Sequence, residues 1–307
     1  GDILAIIQYV MQIMMSVTML SMIFVMYPRC AASADRICEV LDTENSIGDP
    51  EAPKTSEGQR GYLTFRDVSF YFPGAKEPAV SHVSFEARPG ETTAIIGSTG
   101  SGKTALVGLI PRFYDVQEGE VLVDGVNVKD YDRKTLRKKI GYVPQKALLF
   151  KGTIMENIRF GDDSASDERV KEAAAIAQST DFIEDKPEGF DSFIAQGGSN
   201  VSGGQRQRLA IARAIVRKPE IYVFDDSFSA LDFKTDSALR QALARETENA
   251  TVVIVAQRVS TIMNADRIIV MDEGKVMGIG THRELLNTCE TYQEIVRSQL
   301  SEEEMSA

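Results

Sequence analysis

The chain has 307 residues, of which 43% are hydrophobic and 26% are charged, and its formal net charge is −11. This composition is typical of a folded chain of about two domains and excludes disorder as its main property. The acidic balance argues against a nucleic-acid partner, which binds to a clustered cationic surface. The three cysteines, Cys30, Cys38 and Cys289, are widely separated and form no CxxC pair. We therefore expect reduced thiols and no metal site made from them.

The first segment is an apolar run of 25 residues, from Ile3 to Tyr27, without a charged residue. A helix of that length reaches about 37 Å, enough to cross a hydrocarbon core of roughly 30 Å. A signal peptide would have a shorter apolar region and a basic start, and a buried core helix rarely needs so long an uncharged run. The sequence therefore predicts one helix through a lipid bilayer. Arg29 and Arg36 follow it, which places the next segment in the cytoplasm, at the plasma (inner) membrane, by the positive-inside rule.

Three polar residues of this helix, Gln8, Gln12 and Ser16, recur every four positions and share one side of it. They indicate either the lining of a solute pathway or packing between helices, and the sequence leaves both open. Since a lone helix encloses no pathway, we expect further transmembrane helices upstream of Gly1 or on other chains.

The chain divides by composition into a helical segment at 1–41, a linker at 42–61, a folded domain at 62–300 and an acidic tail at 301–307. In the folded domain, β-rich runs alternate with helical runs. The predicted strands lie at 62–70, 92–96, 120–125, 221–225, 251–256 and 267–272, and the predicted helices lie near 103–112, 167–185, 203–217 and 236–247. This alternation predicts an α/β fold with a mainly parallel sheet. The early strands, with few helices between them, indicate an antiparallel subdomain at its edge.

Directly after the predicted strand at 92–96 comes GSTGSGKT, which satisfies the phosphate-loop pattern GxxxxGK[ST] between a strand and a helix. Glycines let backbone amides turn toward phosphate oxygens, and the following helix adds its positive end. We expect Lys103 to pair with the β and γ phosphates of ATP and Thr104 to ligate Mg²⁺. The predicted nucleotide-binding residues here are Gly97, Ser98, Thr99, Gly100, Ser101, Gly102, Lys103, Thr104 and Ala105.

Two further motifs follow downstream. The strand IYVFD ends in Asp225, about 120 residues after the phosphate loop, which is typical of a Walker B carboxylate placed near the magnesium ion. Between the phosphate loop and Asp225 lies VSGGQRQRLAIARAI. In it, Ser202 is a predicted N-cap and the exposed helix end is a second anion site. We expect the apolar positions of that helix to be buried, namely Leu209, Ile211, Ala212 and Ile215.

The sequence VSGGQ resembles the signature of the ATP-binding-cassette family, and the order of the surrounding motifs agrees with it from about residue 62 to residue 296. The resemblance implies a phosphate-loop ATPase domain with an antiparallel β subdomain and a helical signature subdomain, preceded by the last transmembrane helix of an exporter. It implies that each ATP lies between the phosphate loop of one domain and the signature of another, so that a second exporter half is required. The signature residues that would serve a partner's nucleotide are Val201, Ser202, Gly203, Gly204 and Gln205.

The resemblance also assigns roles outside these motifs. Gln145 in YVPQ matches the Q-loop residue that contacts Mg²⁺, so the metal ligands implied are Thr104, Gln145 and Asp225. Phe72 matches the aromatic residue that stacks on adenine, with Tyr71 as a neighbouring candidate. The D-loop is matched by Ser229, Ala230, Leu231 and Asp232.

Three positions depart from the family pattern. Asp226 stands where the family places the glutamate that acts as general base, and Gln257 stands where it places the switch histidine. Asp226 is one methylene shorter than glutamate, and glutamine cannot take the cationic form of histidine. Gln196 stands where exporters commonly have glutamate, which bears on the coupling contact of that loop. The two catalytic departures fall in the site built on this chain's own phosphate loop, whereas the signature is intact.

The sequence therefore predicts an ABC-type transport ATPase, the degenerate-site subunit of a heterodimeric exporter of a small molecule, lipid or peptide, with ATP and Mg²⁺ as cofactors. Two alternatives stay open, and a third is disfavoured. A homodimeric exporter would use Asp226 and Gln257 for slow, symmetric hydrolysis. A regulatory nucleotide-binding module would gate a membrane complex without pumping. A chromosome-maintenance ATPase would need long coiled-coil insertions and no membrane span, which disfavours it here.

Overall fold

A computed structural model describes residues 1–56 and 58–299 of the chain. The chain forms two compact units, Gly1–Gly48 and a second that begins at Asp49. The predicted acidic tail at 301–307 lies outside the described residues.

The first unit is dominated by helix α1 (Asp2–Leu41), which includes the predicted apolar run and its extension. Its most apolar 18-residue window has a mean hydropathy of 1.9, and its side chains are exposed. Hydroxyl groups within the apolar run bond to the helix's own backbone, as Ser16 Oγ does to the carbonyl of Gln12 at 2.9 Å. In lipid, polar groups must be satisfied in this internal way. Among the described residues, α1 is the one helix long and apolar enough to cross a membrane.

The segment predicted as a linker, 42–61, contains neither helix nor strand among its described residues. Three ion pairs fasten this segment to the folded unit from Asp49 onward, one of them between Arg60 and Glu220 at 3.2 Å. Asp49 pairs with Arg133 at 2.8 Å, and Lys54 pairs with Asp130 at 2.8 Å. Hydrogen bonds from Arg133 lower the pKa of Asp49 to about 2. The second compact unit therefore begins ahead of its first strand.

The second unit contains twelve strands and ten helices among the described residues. The strands are β1 (Leu63–Phe70), β2 (Val80–Ala87), β3 (Thr92–Gly97), β4 (Glu118–Val123), β5 (Val126–Asn127), β6 (Ile140–Val143), β7 (Gly152–Thr153), β8 (Phe193–Ile194), β9 (Ile221–Asp225), β10 (Thr251–Val255), β11 (Arg267–Asp272) and β12 (Lys275–Gly280). The helices are α2 (Lys103–Gly108), α3 (Arg133–Lys138), α4 (Ile154–Arg159), α5 (Asp167–Ile176), α6 (Thr180–Glu184), α7 (Gly203–Ile215), α8 (Phe233–Glu246), α9 (Val259–Ile262), α10 (His282–Thr288) and α11 (Glu290–Gln299).

These strands form the predicted α/β arrangement. The large sheet has the order β12-β11-β3-β10-β9-β6, parallel except for β12 at its edge, and the antiparallel sheet has the order β2-β1-β4-β5. Hydrophobic clusters cover both faces of the large sheet because neighbouring residues of a strand point to opposite faces. In β10, Val252 and Ile254 join one cluster, whereas Val253 and Val255 join the other. Strands buried on both faces are continuous apolar runs, which is why β9 and β10 were predictable.

The parallel strands end level at one edge of the large sheet. Val255 of β10 pairs with Ile95 of β3 on one side and with Asp225 of β9 on the other. The loops at this edge carry predicted site residues, namely the phosphate loop after β3, Gln145 after β6, Asp226 after β9 and Gln257 after β10. In open α/β sheets, ligands bind outside the carboxyl ends of the strands. The topology therefore gathers residues that are up to 160 positions apart in the chain.

A helical layer containing α4, α5, α6 and α7 supplies the signature. The predicted helix at 203–217 is confirmed as α7, and its four predicted core positions are all buried. The helix predicted near 167–185 is two helices, α5 and α6, separated by a turn. The helix predicted at 103–112 is shorter than expected, because α2 ends at Gly108.

Candidate functional site

The loop between β3 and α2 is packed so closely that two of its glycines have no room for a side chain. A Cβ atom at Gly97 would lie 2.0 Å from the carbonyl oxygen of Met271, and one at Gly102 would lie 2.1 Å from that of Ala79. Gly102 also has φ of +91°, in the region that glycine adopts without strain. Ser98 Oγ donates to Asp272 Oδ1 at 2.9 Å. Neighbouring strands therefore fix the curve of the phosphate loop.

The side chain of Lys103, the first residue of α2, lies over this loop. Its ammonium group donates to the carbonyl oxygens of Gly97 and Ser98 at 3.0 and 2.6 Å and to Ser101 Oγ at 3.2 Å. Burial lowers the pKa of Lys103, while the charges of Asp226 and Asp225 act in the opposite direction. A cation held by carbonyl dipoles at the mouth of an amide-lined loop is suited to pairing with phosphate oxygens.

Asp225 ends β9 beside the first turn of α2. Thr104 Oγ1 donates to Asp225 Oδ1 at 3.1 Å, and the hydroxyl of Tyr142 donates to Oδ2 at 3.3 Å. Burial raises the pKa of Asp225, and the charge of Asp226 raises it further. A hydroxyl and a carboxylate in contact are hard oxygen donors of the kind that Mg²⁺ prefers. Thr104 and Asp225 therefore fit the predicted magnesium site, where the ion would neutralise phosphate charge.

Asp226 is the meeting point of three loops. Its Oδ2 accepts a hydrogen bond from Gln257 Nε2 at 2.6 Å and another from Gln145 Nε2 at 3.2 Å. Burial raises the pKa of Asp226. Its backbone has φ of +47°, in the left-handed region that aspartate tolerates better than most residues. The predicted base position, the switch residue and the Q-loop residue are thus brought together, and both donors to Asp226 Oδ2 are neutral amides.

The signature forms the N-terminus of α7. Ser202 Oγ accepts a hydrogen bond from the amide of Gln205 at 3.2 Å, and Gln205 Oε1 accepts one from the amide of Ser202 at 3.0 Å. This reciprocal capping box fixes the first turn. Ser202 and Gly203 are exposed, whereas Val201 is buried beneath them. The free amides of a 13-residue helix therefore face outward.

The D-loop lies between these two groups of residues. Ser229 Oγ donates to the carbonyl of Asp226 at 3.0 Å. On the other side, a Cβ atom at Gly204 would lie 3.2 Å from the carbonyl oxygen of Ala230 and 3.8 Å from Leu231 Cδ2. Asp232 then caps α8 by accepting from the amide of Thr235 at 3.0 Å. The D-loop is thus in contact with both the base position and the signature of the same chain.

The aromatic candidates differ in exposure. Phe72 is 42% exposed and contacts the rings of Phe70 and Tyr114 edge-on, at centroid distances of 4.9 and 5.4 Å. Tyr71 is half-buried, and its backbone is held by Gln117. Of the two, Phe72 presents the more exposed ring. The loop that follows Phe72 ends at Ala79, which lies beside Gly102 of the phosphate loop.

The sequence did not point to several residues that shape the site. Tyr142 contacts Asp225, and Asp272 holds Ser98. Gln207, buried in α7, donates to the carbonyl of Pro144 at 3.4 Å and so joins the signature helix to the Q-loop. The sequence QRQR in the signature helix was the one available indication that Gln207 makes a contact. A polar residue on a helix face that is otherwise buried needs a hydrogen-bond partner. Gln196 lies exposed in a short 3₁₀ turn, Gln196–Gly198.

Several known proteins are similar to this chain over most of its length. Residues 80–229 match the family described as ABC transporter. An uncharacterized ABC transporter ATP-binding protein of Mycobacterium tuberculosis (strain ATCC 25618 / H37Rv) is 46% identical over 303 residues, which is 97% of this chain and 52% of that protein. An ATP-dependent lipid A-core flippase of Desulfotalea psychrophila is 41% identical over 263 residues, which is 85% of this chain and 46% of that protein. The chain spans about half the length of these relatives.

A solved structure, that of a bacterial Atm1-family ABC exporter with ATP bound, matches 92% of this chain and 50% of its own chain, with a TM-score of 0.84 and 34% identity. The likeness therefore includes the α/β sheet, the phosphate loop and the signature helix described above. The chain carries an ABC transporter ATPase domain that is similar to those of ABC exporters.

Proposed function

We propose that this chain is the degenerate-site half of a heterodimeric exporter. Its own site binds Mg-ATP and retains it, while its signature completes a partner's hydrolysing site and so couples ATP to efflux. One observation carries the proposal. The carboxylate at the base position, Asp226, is short, and one of its oxygens accepts from the two amides of Gln257 and Gln145.

This arrangement is poorly suited to general-base catalysis. A base must reach the attacking water, and a displacement of about 1 Å from the productive geometry can lower the rate on the order of a hundredfold. Asp226 Oδ2, the oxygen nearest to the switch loop (256–262), already accepts two hydrogen bonds. Gln257 can donate to a γ-phosphate, but it cannot carry positive charge into the transition state as a protonated histidine can. Such a site favours holding ATP over cleaving it.

The signature supports the other half of the proposal. The hydroxyl of Ser202 and the amides of Gly203 and Gly204 lie at an outward-facing helix end with its dipole behind them. Oriented donors of this kind stabilise charge that develops on a transferred phosphoryl group. The signature therefore retains the features that hydrolysis at a partner's phosphate loop would require.

The setting that we propose is the plasma (inner) membrane, crossed by α1 and by helices outside this chain, with the ATPase domain in the cytoplasm. The relatives named as lipid A-core flippases make a lipid the first substrate class to test. The partner half should carry glutamate after its Walker B aspartate and histidine in its switch loop. Its signature should depart from the usual pattern, because that signature would face the weakened site of this chain.

The test of the degenerate site is ATP hydrolysis by this chain paired with itself. The unmodified pair should hydrolyse ATP barely or not at all, and Asp226→Glu combined with Gln257→His should be needed to restore turnover. Adding Lys103→Ala to the double variant is the control, since true turnover must disappear with it. The left-handed backbone at Asp226 predicts that glutamate there costs up to about 1 kcal/mol of stability, so thermal unfolding should be measured in parallel. Robust hydrolysis by the unmodified pair would contradict the proposal.

A further inference from the structure

Helix α11, the last helix among the described residues, is anchored by its apolar face. Tyr292 and Val296 are buried in the core that covers one face of the large sheet. The hydroxyl of Tyr292 is also 2.7 Å from His282 Nδ1 at the start of α10. The helix is therefore fixed at these two positions, and Gln299, its last residue, is exposed one turn beyond Val296.

Gln299 makes two hydrogen bonds to the backbone of the switch loop. Its Nε2 donates to the carbonyl oxygen of Gln257 at 2.8 Å, and its Oε1 accepts from the amide of Val259 at 2.8 Å. The two contacts bracket the residue between them, as a planar amide with one donor and one acceptor side can do. Two residues of the switch loop are thus held by a residue about 40 positions further along the chain.

The contact between Gln299 and Val259 also provides a cap for α9. The first amides of a helix have no partner within it and need a cap. The N-cap residue of α9, Arg258, gives no side-chain capping bond. Gln299 fills this role from another helix, by accepting from Val259, the first residue of α9. Because the cap comes from α11, the position of α11 also determines where α9 begins.

Gln257 is therefore held through both its side chain and its backbone. Its side-chain amide donates to Asp226 Oδ2 at 2.6 Å, and its backbone carbonyl accepts from Gln299 at 2.8 Å. A continuous series of contacts leads from α11 through the switch loop to the base position. None of the sequence motifs includes Gln299.

We infer that Gln299 is a positioning residue, which holds the backbone of the switch loop so that the amide of Gln257 is placed to recognise the γ-phosphate of ATP bound to this chain. The inference rests on the proposed function, because it takes Gln257 to be the γ-phosphate contact of an ATP-retaining site. ADP has no γ-phosphate. Loss of the positioning should therefore weaken binding of ATP and leave binding of ADP unchanged.

The variants separate positioning from general stability. Gln299→Ala removes both contacts, whereas Gln299→Glu keeps an acceptor for the Val259 amide but places a carboxylate against the Gln257 carbonyl. The matched control is Gln293→Ala, which removes a glutamine of the same helix that donates to the carbonyl of Leu286 at 2.9 Å. Gln257→Ala removes the proposed γ-phosphate contact itself.

The measurement is the ratio of ATP to ADP affinity at this chain's site in the intact transporter, with the partner's phosphate loop disabled by a lysine-to-alanine change. Gln299→Ala should reduce the ratio about threefold, the effect of losing part of one neutral hydrogen bond. Gln299→Glu should reduce it at least as much, and Gln293→Ala should not change it. Combined with Gln257→Ala, Gln299→Ala should have no further effect on the ratio.

Hydrogen exchange provides a readout that does not depend on nucleotide. The amide of Val259 should exchange faster in Gln299→Ala and at the wild-type rate in Gln293→Ala. Unchanged exchange would overturn the inference at its structural step. If Gln257→Ala lowers the affinity ratio but Gln299→Ala does not, positioning by Gln299 is wrong and the proposed function stands. If Gln257→Ala leaves the ratio unchanged, the proposed γ-phosphate contact fails, and the inference fails with it.

Discussion

The two nucleotide-facing regions of this chain differ in how they are built. The phosphate-loop region consists of loops at the carboxyl edge of a buried parallel sheet, and its polar groups bond to one another, as Asp226 does to Gln257 and Gln145. The signature region is the capped end of one helix, and its donors at Ser202 and Gly203 face outward. The departures from the family pattern in the catalytic positions fall in the first region. Under the proposed function, hydrolysis depends on the signature of this chain more than on its own base position.

The largest expected effect comes from placing negative charge in the signature. Gly203→Asp with Ser202→Ala should lower steady-state ATPase of the proposed heterodimer by roughly 10² to 10³, because the aspartate repels the phosphates and the alanine removes a donor to transition-state charge. A Cβ atom at Gly203 meets nothing closer than an Arg206 nitrogen at 3.9 Å, so the fold has room for the side chain. Gly203→Ala is the matched control and should retain most of the activity. Equal loss in both variants would mean that packing, not charge, is responsible.

The next effect concerns binding at the chain's own site. Lys103→Ala should raise the dissociation constant for Mg-ATP about tenfold to a hundredfold, because the phosphates lose charge-assisted hydrogen bonds. Lys171→Ala, at an exposed position in α5, is the control for a simple change of net charge. Titration with a fluorescent ATP analogue measures both variants. ATP affinity unchanged by Lys103→Ala would remove the phosphate-loop assignment.

A smaller effect should appear in stability without nucleotide. Burial and the neighbouring charge of Asp226 raise the pKa of Asp225, so the folded state binds a proton more readily than the unfolded state. Stability therefore falls as pH rises from the ordinary aspartate pKa of about 3.9 through the raised value. Asparagine at position 225 does not titrate, so the Asp225→Asn variant does not lose stability in this way as pH rises. Its melting temperature should exceed that of the wild type at pH 7, and the difference should shrink as pH is lowered toward 4. A variant less stable than the wild type at pH 7 would contradict this account of the carboxylate.

Much of the fold was predictable because its central strands are extreme in composition. IYVFD and TVVIV are buried at every position, and such runs leave few alternatives to an interior strand. The edge strand β12 alternates between exposed and half-buried residues and contains two glycines, so its pattern gave little signal. Short helices such as α3, α4 and α9 span one or two turns, too few for a helical period to appear. The sequence therefore predicted the centre of the sheet better than its periphery.

The candidate site also has a part that could be predicted from the sequence and a part that could not. The phosphate loop and the signature were predictable because backbone geometry demands glycine and a cap at fixed spacing, as at Gly102 and Ser202. Contacts made by ordinary side chains across long separations were not. Gln299 reaches the switch loop from a different element, and Gln207 reaches Pro144 across 63 positions. The local sequence does not indicate the partner of either glutamine, since the partners are set only by the folded arrangement.

The central claim is that hydrolysis runs on the partner's phosphate loop and not on this chain's own. The most direct measurement is steady-state ATPase of the reconstituted heterodimer carrying Asp226→Asn, beside the signature variant Ser202→Ala with Gly203→Asp. Asparagine keeps the left-handed backbone and an oxygen that accepts from Gln257, and it removes only the basic carboxylate. The account predicts that Asp226→Asn retains most of the activity while the signature variant loses nearly all of it. An Asp226→Asn variant impaired as severely as the signature variant would show that this chain's own site hydrolyses ATP.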